Sequence, residues 1–488
     1  MGKKIKFIKG LCHGVFDIIH IGHLKHFNEA KKYCNYLIVS ITSDRFVRKS
    51  KGPKKPIFNQ DERFKILSSL KIVDEVIISD CETAEDSIKK IKPKFYFKGK
   101  DYKKSLDKNL NFERKLIASL GGKVIFTNTP LNSSSEIINK KFFDIENFYE
   151  KKISNNKKDI FKNKISRFCA QNIKNKILVI GEHILDTYVS TNVQGKSGKN
   201  NILTSSFQSS KSFGGGVMLV SNLLSSFMSK VDTICWKNQN NDKIYKKFLN
   251  KNVNKINFNT NAKIIVKKRF QDSYLGTKLF QLNTNQEDIL DNNFKKKFEI
   301  FFNKLNLAKY DAIIIFDYGH GLINRNIVNK LGRFKKKVYV NCQSNSFNFG
   351  YNLFSKYKSA NTVSMDETEF RLLVQDKFTK IKDLLKKNKS LFKNFQNVII
   401  TLGKFGAYHV TKKRIEFVKS IISSTKDTTG CGDIFFSIYI LLDLFSDLDL
   451  QQKIIISHLC AGIHAEYEGN DNQVTRNNLT KFAKSYLF

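Results

Sequence analysis

Two short stretches carry side chains whose types and spacing suit phosphate chemistry. The first, CHGVFDIIHIGH (residues 12–23), sets His20 and His23 three apart directly after a glycine-punctuated apolar run, in a chain with nine histidines. A strand ending near Cys12, a loop containing Gly14 and a helix starting near Gly22 would put both imidazoles at a helix N-terminus. Unpaired N–H groups and the positive end of the dipole attract phosphate there. Two imidazoles so placed can donate hydrogen bonds to a triphosphate as charge builds on its α-phosphorus, the chemistry of nucleotidyl transfer. A histidine pair in isolation would read as ordinary helix-cap residues. The second stretch is DTTGCGDIFFS (427–437). Gly430, Cys431 and Gly432 open a helix whose N–H groups can form an anion hole for a γ-phosphate, and Asp433 is placed to accept a proton from an attacking hydroxyl.

The elements that must position these groups are legible as alternating apolar runs and helical-period segments, the pattern of a parallel α/β sheet. Up to about residue 142 the runs are IKFIKGLC, YLIVSIT, VDEVIIS, KFYFKG and KVIFTN. Residues 143–174 are charged, lack strand signals and read as a helical linker, and a second series (KILVIGEHILD, DAIIIFDYG, KKVYVN, NVIITLG) fills 175–488. The expected fold class is therefore α/β with two doubly wound domains. A hydrophobic fraction of 41% with 12% aromatics sets wholesale disorder aside. Eight scattered cysteines without a C-x-x-C pair argue against a zinc site and a disulfide framework. No apolar run of about 18 residues and no signal-peptide pattern is seen, so the expectation is a cytoplasmic protein without a membrane partner. The net charge of +41 invites a nucleic-acid reading. Lysine is instead spread along the whole chain with Asn, Ile and Phe, as in a general compositional bias, so no specific nucleic-acid partner is expected; the charge can still help to gather phosphorylated substrates.

GVFDIIHIGHLKHFNEAKK, LIVSITSD, DERFKIL, VDEVI, FKGKDY and NSSSEII, in that order through about residue 140, resemble the H-x-G-H cytidylyltransferase-like superfamily. The resemblance implies a Rossmann-like domain in which a sugar phosphate or alcohol phosphate attacks the α-phosphate of a nucleoside triphosphate and pyrophosphate leaves. By position it implies that His20 and His23 stabilise the transition state and that Lys25 and Lys98 neutralise phosphate charge. Asp17 would order the loop, and Gly14, Phe16, Arg63, Ser133, Ser134 and Ser135 would join in binding the nucleotide. The segment TNTPLNSSSEII lacks the Arg that glycerol-3-phosphate cytidylyltransferases carry before their serine/threonine motif. It is closer to the heptose-phosphate adenylyltransferase branch, and the base stays open between ATP and CTP.

DTTGCGD resembles the D-T-x-G-A-G-D motif of ribokinase-like (PfkB) sugar kinases, with Cys431 in the usual alanine position. Over about 176–488 the same resemblance implies that Asp186 of VIGEHILD meets substrate hydroxyls, and that GGGVMLVSNLL, with Gly215, Gly216 and Asn222, is the glycine-rich substrate segment. FDYGHG, with Asp317, is similar to the D-Y-x-x-G stretch of heptose-phosphate kinases. DETE stands where the family has N-x-x-E, so Glu369 would organise a Mg²⁺ water shell. TLGKFG, with Thr401, Gly403 and Gly406, matches the T-x-G-x-x-G nucleotide segment. Asp366 replaces the usual Asn, the family's prolines are absent from VSMDETE and VNCQSN, and His458 lies where an Asn is common. The segment KKRFQDSYLGTKLFQLN (267–283) reads as paired β-strands of a small lid. Its Lys267, Lys268 and Arg269 either contact a phosphate or form a solvated strand face, and Lys268 is the substrate-binding candidate.

Bifunctional heptose-7-phosphate kinase/heptose-1-phosphate adenylyltransferases combine these two modules with the kinase first; here the order is reversed. The resemblance implies an enzyme of nucleotide-activated sugar synthesis, with ATP-dependent phosphorylation of a sugar or sugar phosphate by one domain and nucleotidyl transfer to a sugar 1-phosphate by the other. Mg²⁺ would serve both reactions. The alternative is a CTP-dependent, glycerol-3-phosphate-like cytidylyltransferase joined to an unrelated or inactive sugar kinase. Small sugar phosphates and nucleoside triphosphates are the expected partners, and a homodimer is left open.

Overall fold

A computed structural model of the protein describes residues 7–51, 55–100, 108–128, 155–198, 202–334, 336–421, 427–470 and 474–487. The chain divides into two compact units, Met1–Lys162 with Thr480–Phe488, and Asn163–Leu479. The boundary falls inside a helix, Asn155–Ala170, and the first strand of the second unit begins at Ile173.

In the first unit the apolar runs become five parallel strands: β1 (Lys9–Gly14), β2 (Tyr36–Thr42), β3 (Glu75–Ser79), β4 (Phe95–Gly99) and β5 (Lys123–Thr127). Their order is β3-β2-β1-β4-β5. Successive residues point to opposite faces, so each strand feeds two cores. Cys12, Val39 and Phe97 pack on one side with Phe27 and Leu67, whereas Leu11, Ile38 and Tyr96 pack on the other with Ile88 and Ile117. The chain winds outward from β1 to β3, then returns to place β4 on β1's other edge. In such sheets ligands bind in the crevice at the carboxyl ends of the strands flanking this reversal. Those ends are Gly14 and Gly99, so the HIGH loop and Lys98 are delivered to one crevice by topology.

The second unit holds a nine-stranded sheet, with β6 (Ile173–Gly181), β9 (Met228–Lys237), β10 (Val253–Asn259), β13 (Ala312–Asp317), β14 (Lys337–Cys342), β15 (Ala360–Asp366), β16 (Phe395–Thr401), β17 (Gly406–Val410) and β18 (Ile415–Lys419). The order is β10-β9-β6-β13-β14-β15-β16-β17-β18, parallel up to β16 and antiparallel across the last two pairings. All six residues of the central β13, AIIIFD, are buried, as a parallel strand covered on both faces requires. A smaller sheet orders β12 (Lys278–Thr284), β11 (Ile265–Asp272), β7 (His183–Lys196) and β8 (Leu203–Gly216). The expected pairing within 267–283 is there: β11 and β12 are antiparallel, with Phe270 stacked on Phe280 at a centroid separation of 4.4 Å. Among the described residues no helix is long and apolar enough to cross a membrane.

Candidate functional site

In the first unit, His20 is the N-cap of the helix Ile21–Lys31 and His23 lies in its first turn. Serine, threonine and aspartate are the usual caps, because a short side-chain oxygen reaches a free N–H. Here imidazole nitrogens do the same work reciprocally. His20 Nδ1 accepts from Gly22 N–H at 3.1 Å, and His23 Nδ1 accepts from His20 N–H at 3.4 Å. The rings lie 3.9 Å apart. An Nδ1 that accepts carries no proton, so each neutral ring must hold its proton on Nε2 and present it as a donor. His20 Nε2 is buried without a partner among the described residues. Burial lowers the His20 pKa; burial, then the charges of His20, His26 and Lys51, push His23 down to about 3. Both rings are thus held neutral, with fixed tautomers.

The loop before this helix is braced from below. Phe16 has a positive φ of 50°, a conformation that costs a non-glycine residue, and its ring packs edge-on against His23 at 5.2 Å. Gly14 ends β1 beneath it, where a Cβ would meet the Phe16 ring at 3.2 Å. Asp17 is buried and accepts N–H bonds from Ile57 and Phe58 at 2.8 and 3.0 Å, tying the segment that follows residue 54 to the HIGH loop. Lys25 is exposed on the helix. Lys98, at the end of β4, lies 3.7 Å from Glu113. Ser133, Ser134 and Ser135 fall outside the described residues.

Arg63 occupies a different place from the one expected. Its side chain is fully buried and donates to Phe58 O, Val15 O, Thr42 O and Asp44 Oδ1, the last at 2.7 Å. It braces the loop carbonyls and presents no surface to a nucleotide. Two histidines that the motif does not single out join the crevice. His13 is held by Ser40 at 3.0 Å and His26 by Thr127 at 2.7 Å. Burial, then Lys98, pushes them to about 3 and 4. Four of nine histidines within fourteen residues, HGVFDIIHIGHLKH, is the signal that was available.

In the second unit the strand ends β6, β13, β14, β15 and β16 deliver Glu182, Asp317, Gln343, Asp366 and Thr401 in succession. Asp433 lies in the first turn of the helix Cys431–Phe445, 6% exposed, with Gln343 donating to its Oδ1 at 2.7 Å. Burial, opposed by that bond and by Tyr318, brings its pKa up to about 7. Gly430 caps the helix with φ of 77°, where any side chain would be strained and would meet Leu219 at 2.9 Å. A Cβ at Gly432 would meet nothing within 4 Å. The helix start is therefore closed on the Gly430 side and open at Gly432. Cys431 Sγ reaches Asp427 O at 3.8 Å. Asp427 itself accepts from Tyr188 of β7 at 2.6 Å and Lys278 of β12 at 2.8 Å, joining the small sheet to the glycine loop.

Asp186 is buried in β7 and paired with Arg269 of β11. A Cβ at Gly215 would overlap Asp186 Oδ2, and one at Gly216 would come within 2.5 Å of Glu182 O, so the glycine-rich segment makes room for these carboxylate and carbonyl oxygens. Lys268 is exposed and does not join them. Strand parity decides this: residues 267 and 269 share the face of Asp186, and 268 points to the other. Lys267 pairs with Asp186 across the sheet, and burial lowers its pKa while Asp186 and Asp433 oppose that effect.

Two further candidates are held by internal bonds. Asn222 donates to Phe248 O and accepts from Asn250 N–H, both at 2.8 Å, so its amide clamps the helix Val217–Ser225 to a neighbouring loop. Asp317 is 1% exposed and its oxygens accept from Gly319 N–H, Asn352 and Tyr357 and pair with Lys356, so it organises the loop after β13 from inside. Buried Glu182, unremarked in the sequence, holds that loop too by accepting N–H bonds from Tyr318 and His320 at 3.1 and 3.2 Å. Glu369 forms a capping box with Asp366 and accepts from Ser344 N–H at 2.7 Å. Burial, then Asp366, raises its pKa to about 8. Thr401, Gly403 and Gly406 form the turn after β16, with Gly403 exposed. His458 packs on Phe435 at 4.8 Å inside the core.

Residues 11–154 match the cytidylyltransferase-like family model, and residues 325–476 match that of the pfkB family carbohydrate kinases. A protein of Aliarcobacter butzleri named Bifunctional protein HldE is 44% identical over 125 residues, 25% of this chain and 25% of its own. Its namesake in Geobacter sulfurreducens is 34% identical over 123 residues, 25% of this chain and 24% of its own. The chain spans about a quarter of the length of the curated relatives it matches. The ribokinase of Thermotoga maritima superposes with a TM-score of 0.50 at 16% identity, over 64% of this chain and 99% of that structure, a likeness of fold. The chain thus carries, in this order, a cytidylyltransferase-like region and a pfkB-type carbohydrate kinase region on a ribokinase-like fold.

Proposed function

We propose that the protein makes a nucleotide-activated sugar by two reactions: ATP-dependent phosphorylation of a heptose-like sugar or sugar phosphate in the second unit, and nucleotidyl transfer to a sugar 1-phosphate in the first. What supports the reading is a helix start in each unit beside groups of matching protonation: neutral imidazoles at Ile21–Lys31, and a carboxyl with a raised pKa at the open start of Cys431–Phe445. In the second, Asp433 has a pKa near 7 next to the open face of Gly432. A base poised near the working pH is the most effective acceptor of a hydroxyl proton, and the N–H groups around Gly432 would hold the γ-phosphoryl oxygens as the hydroxyl oxygen attacks. Asp186, kept in place by Arg269 and the Gly215 gap, would orient the sugar hydroxyls.

In the first unit the neutral rings of His20 and His23, accepting at Nδ1, would carry their protons on Nε2. His20 and His23 would donate from Nε2 to the α-phosphate oxygens, while Lys25, Lys51 and Lys98 offset the charge of the leaving pyrophosphate. Mg²⁺ supplies charge neutralisation when it arrives with the nucleotide, keeping several waters. Glu369 fits such a water shell rather than the ion itself, because both its oxygens already accept backbone N–H bonds. Incubating the protein with each of ATP, CTP, UTP and GTP and a panel of sugar 1-phosphates, including heptose 1-phosphate, tests the first half. Pyrophosphate release should depend on both substrates and favour one base; release independent of the sugar phosphate would refute nucleotidyl transfer to it. With ATP and heptose 7-phosphate or mannose 6-phosphate, ADP should form only when the sugar is present.

A further inference from the structure

Gln343 sits in VNCQSN just past the end of β14, where no motif assigns it a role. Its position is over-determined. The backbone N–H donates to Asp317 O at 2.8 Å, and the carbonyl accepts from Asn352 Nδ2 at 3.0 Å. The side-chain nitrogen has two hydrogens, and both are committed: one to Asn341 Oδ1 at 2.6 Å, the other to Asp433 Oδ1 at 2.7 Å. Asn341 is fixed in turn by donating to Ser364 O of β15 at 3.3 Å. Three adjacent strand ends thus aim one neutral donor at one carboxylate oxygen, the kind of support that keeps a reacting group in a single geometry.

We infer that Gln343 is the positioning residue of the Asp433 base, holding the carboxylate by Oδ1, favouring its ionised form and leaving proton acceptance to Oδ2. This rests on the reading of Asp433 as the base. The other groups facing Asp433 are Asp186 of β7, Lys267 of β11, Tyr318 from the loop after β13, Glu369 from the helix Glu367–Val374 and neighbouring Cys431. Asp186 opposes ionisation, and Lys267 and the Tyr318 hydroxyl favour it.

Aspartate carboxyl carbons labelled with carbon-13 allow a direct titration of the full-length protein by NMR, and the resonance missing from Asp433→Asn assigns the base. In Gln343→Leu its midpoint should rise by about one to two pH units, the size of a hydrogen bond to a charged group. In Gln343→Lys, which keeps a donor and adds a positive charge, the midpoint should fall below that of the wild type. The acid limb of kcat/KM for ATP with heptose 7-phosphate should move in the same two directions while the sugar KM stays constant. General disturbance of the site does not produce opposite shifts at one position. Midpoints equal to the wild type's, or moving the same way in both variants, would overturn the role of Gln343. Full kinase activity in Asp433→Asn would overturn the base itself.

Discussion

The asymmetry of the two glycines at the start of the helix Cys431–Phe445 leads to a paired prediction. At Gly430 an alanine must adopt a φ near 77° and sit 2.9 Å from Leu219 and 3.2 Å from His464. The left-handed conformation costs about 1–2 kcal/mol and the overpacking about 1–3 kcal/mol, so Gly430→Ala should destabilise by several kcal/mol. At Gly432 the added methyl meets nothing within 4 Å beyond its own helix. Glycine to alanine in a helix gains up to about 1 kcal/mol, so Gly432→Ala should fold at least as well as the parent. Its kinase activity should nonetheless collapse, because the methyl would occupy the face over which the proposed γ-phosphoryl group would pass. Loss of one such anion-binding contact typically costs about 10²–10³ in kcat. Urea melts and ADP formation on the same preparations separate the two effects. A Gly432→Ala protein with wild-type turnover would refute the placement of the phosphate, and one as unstable as Gly430→Ala would refute the packing behind it.

Two other consequences concern the same unit. Asp433 has a folded pKa near 7, above the ordinary 3.8, so the folded state binds more protons between those values and stability falls as pH rises through that window. Asp433→Asn should therefore raise Tm at pH 8 much more than at pH 4, and equal gains at both pH values would show that burial does not hold the proton there. Gly215→Ala puts a methyl against Asp186 Oδ2 and must displace the Asp186–Arg269 pair. The expected result is a loss of about 2–4 kcal/mol in stability with a raised sugar KM, and an unchanged KM would separate Asp186 from the substrate.

The strands were legible because parallel strands covered on both faces read as unbroken apolar runs, and YLIVSIT and DAIIIFD are such runs. The two helix starts were legible because glycine and histidine in fixed spacing leave few local alternatives. What sequence could not give was the direction of polar side chains once buried. Arg63, Asn222 and Asp317 carry the groups a ligand site uses, yet their hydrogen bonds close internally on loop carbonyls, amides and hydroxyls. Strand parity puts Lys268 on the face away from Asp186, with its neighbours Lys267 and Arg269 on the Asp186 side. Gln343 and Glu182 gave no local signal, because their roles arise where separate strand ends converge.

If two independent phosphate-transfer centres share this chain, two single substitutions assayed for two products will separate them. Asp433→Asn should abolish sugar-dependent ADP formation and leave pyrophosphate release near the wild-type rate, and His20→Ala should do the reverse. A folded variant of either kind that loses both activities, or keeps both, would contradict the two-centre reading.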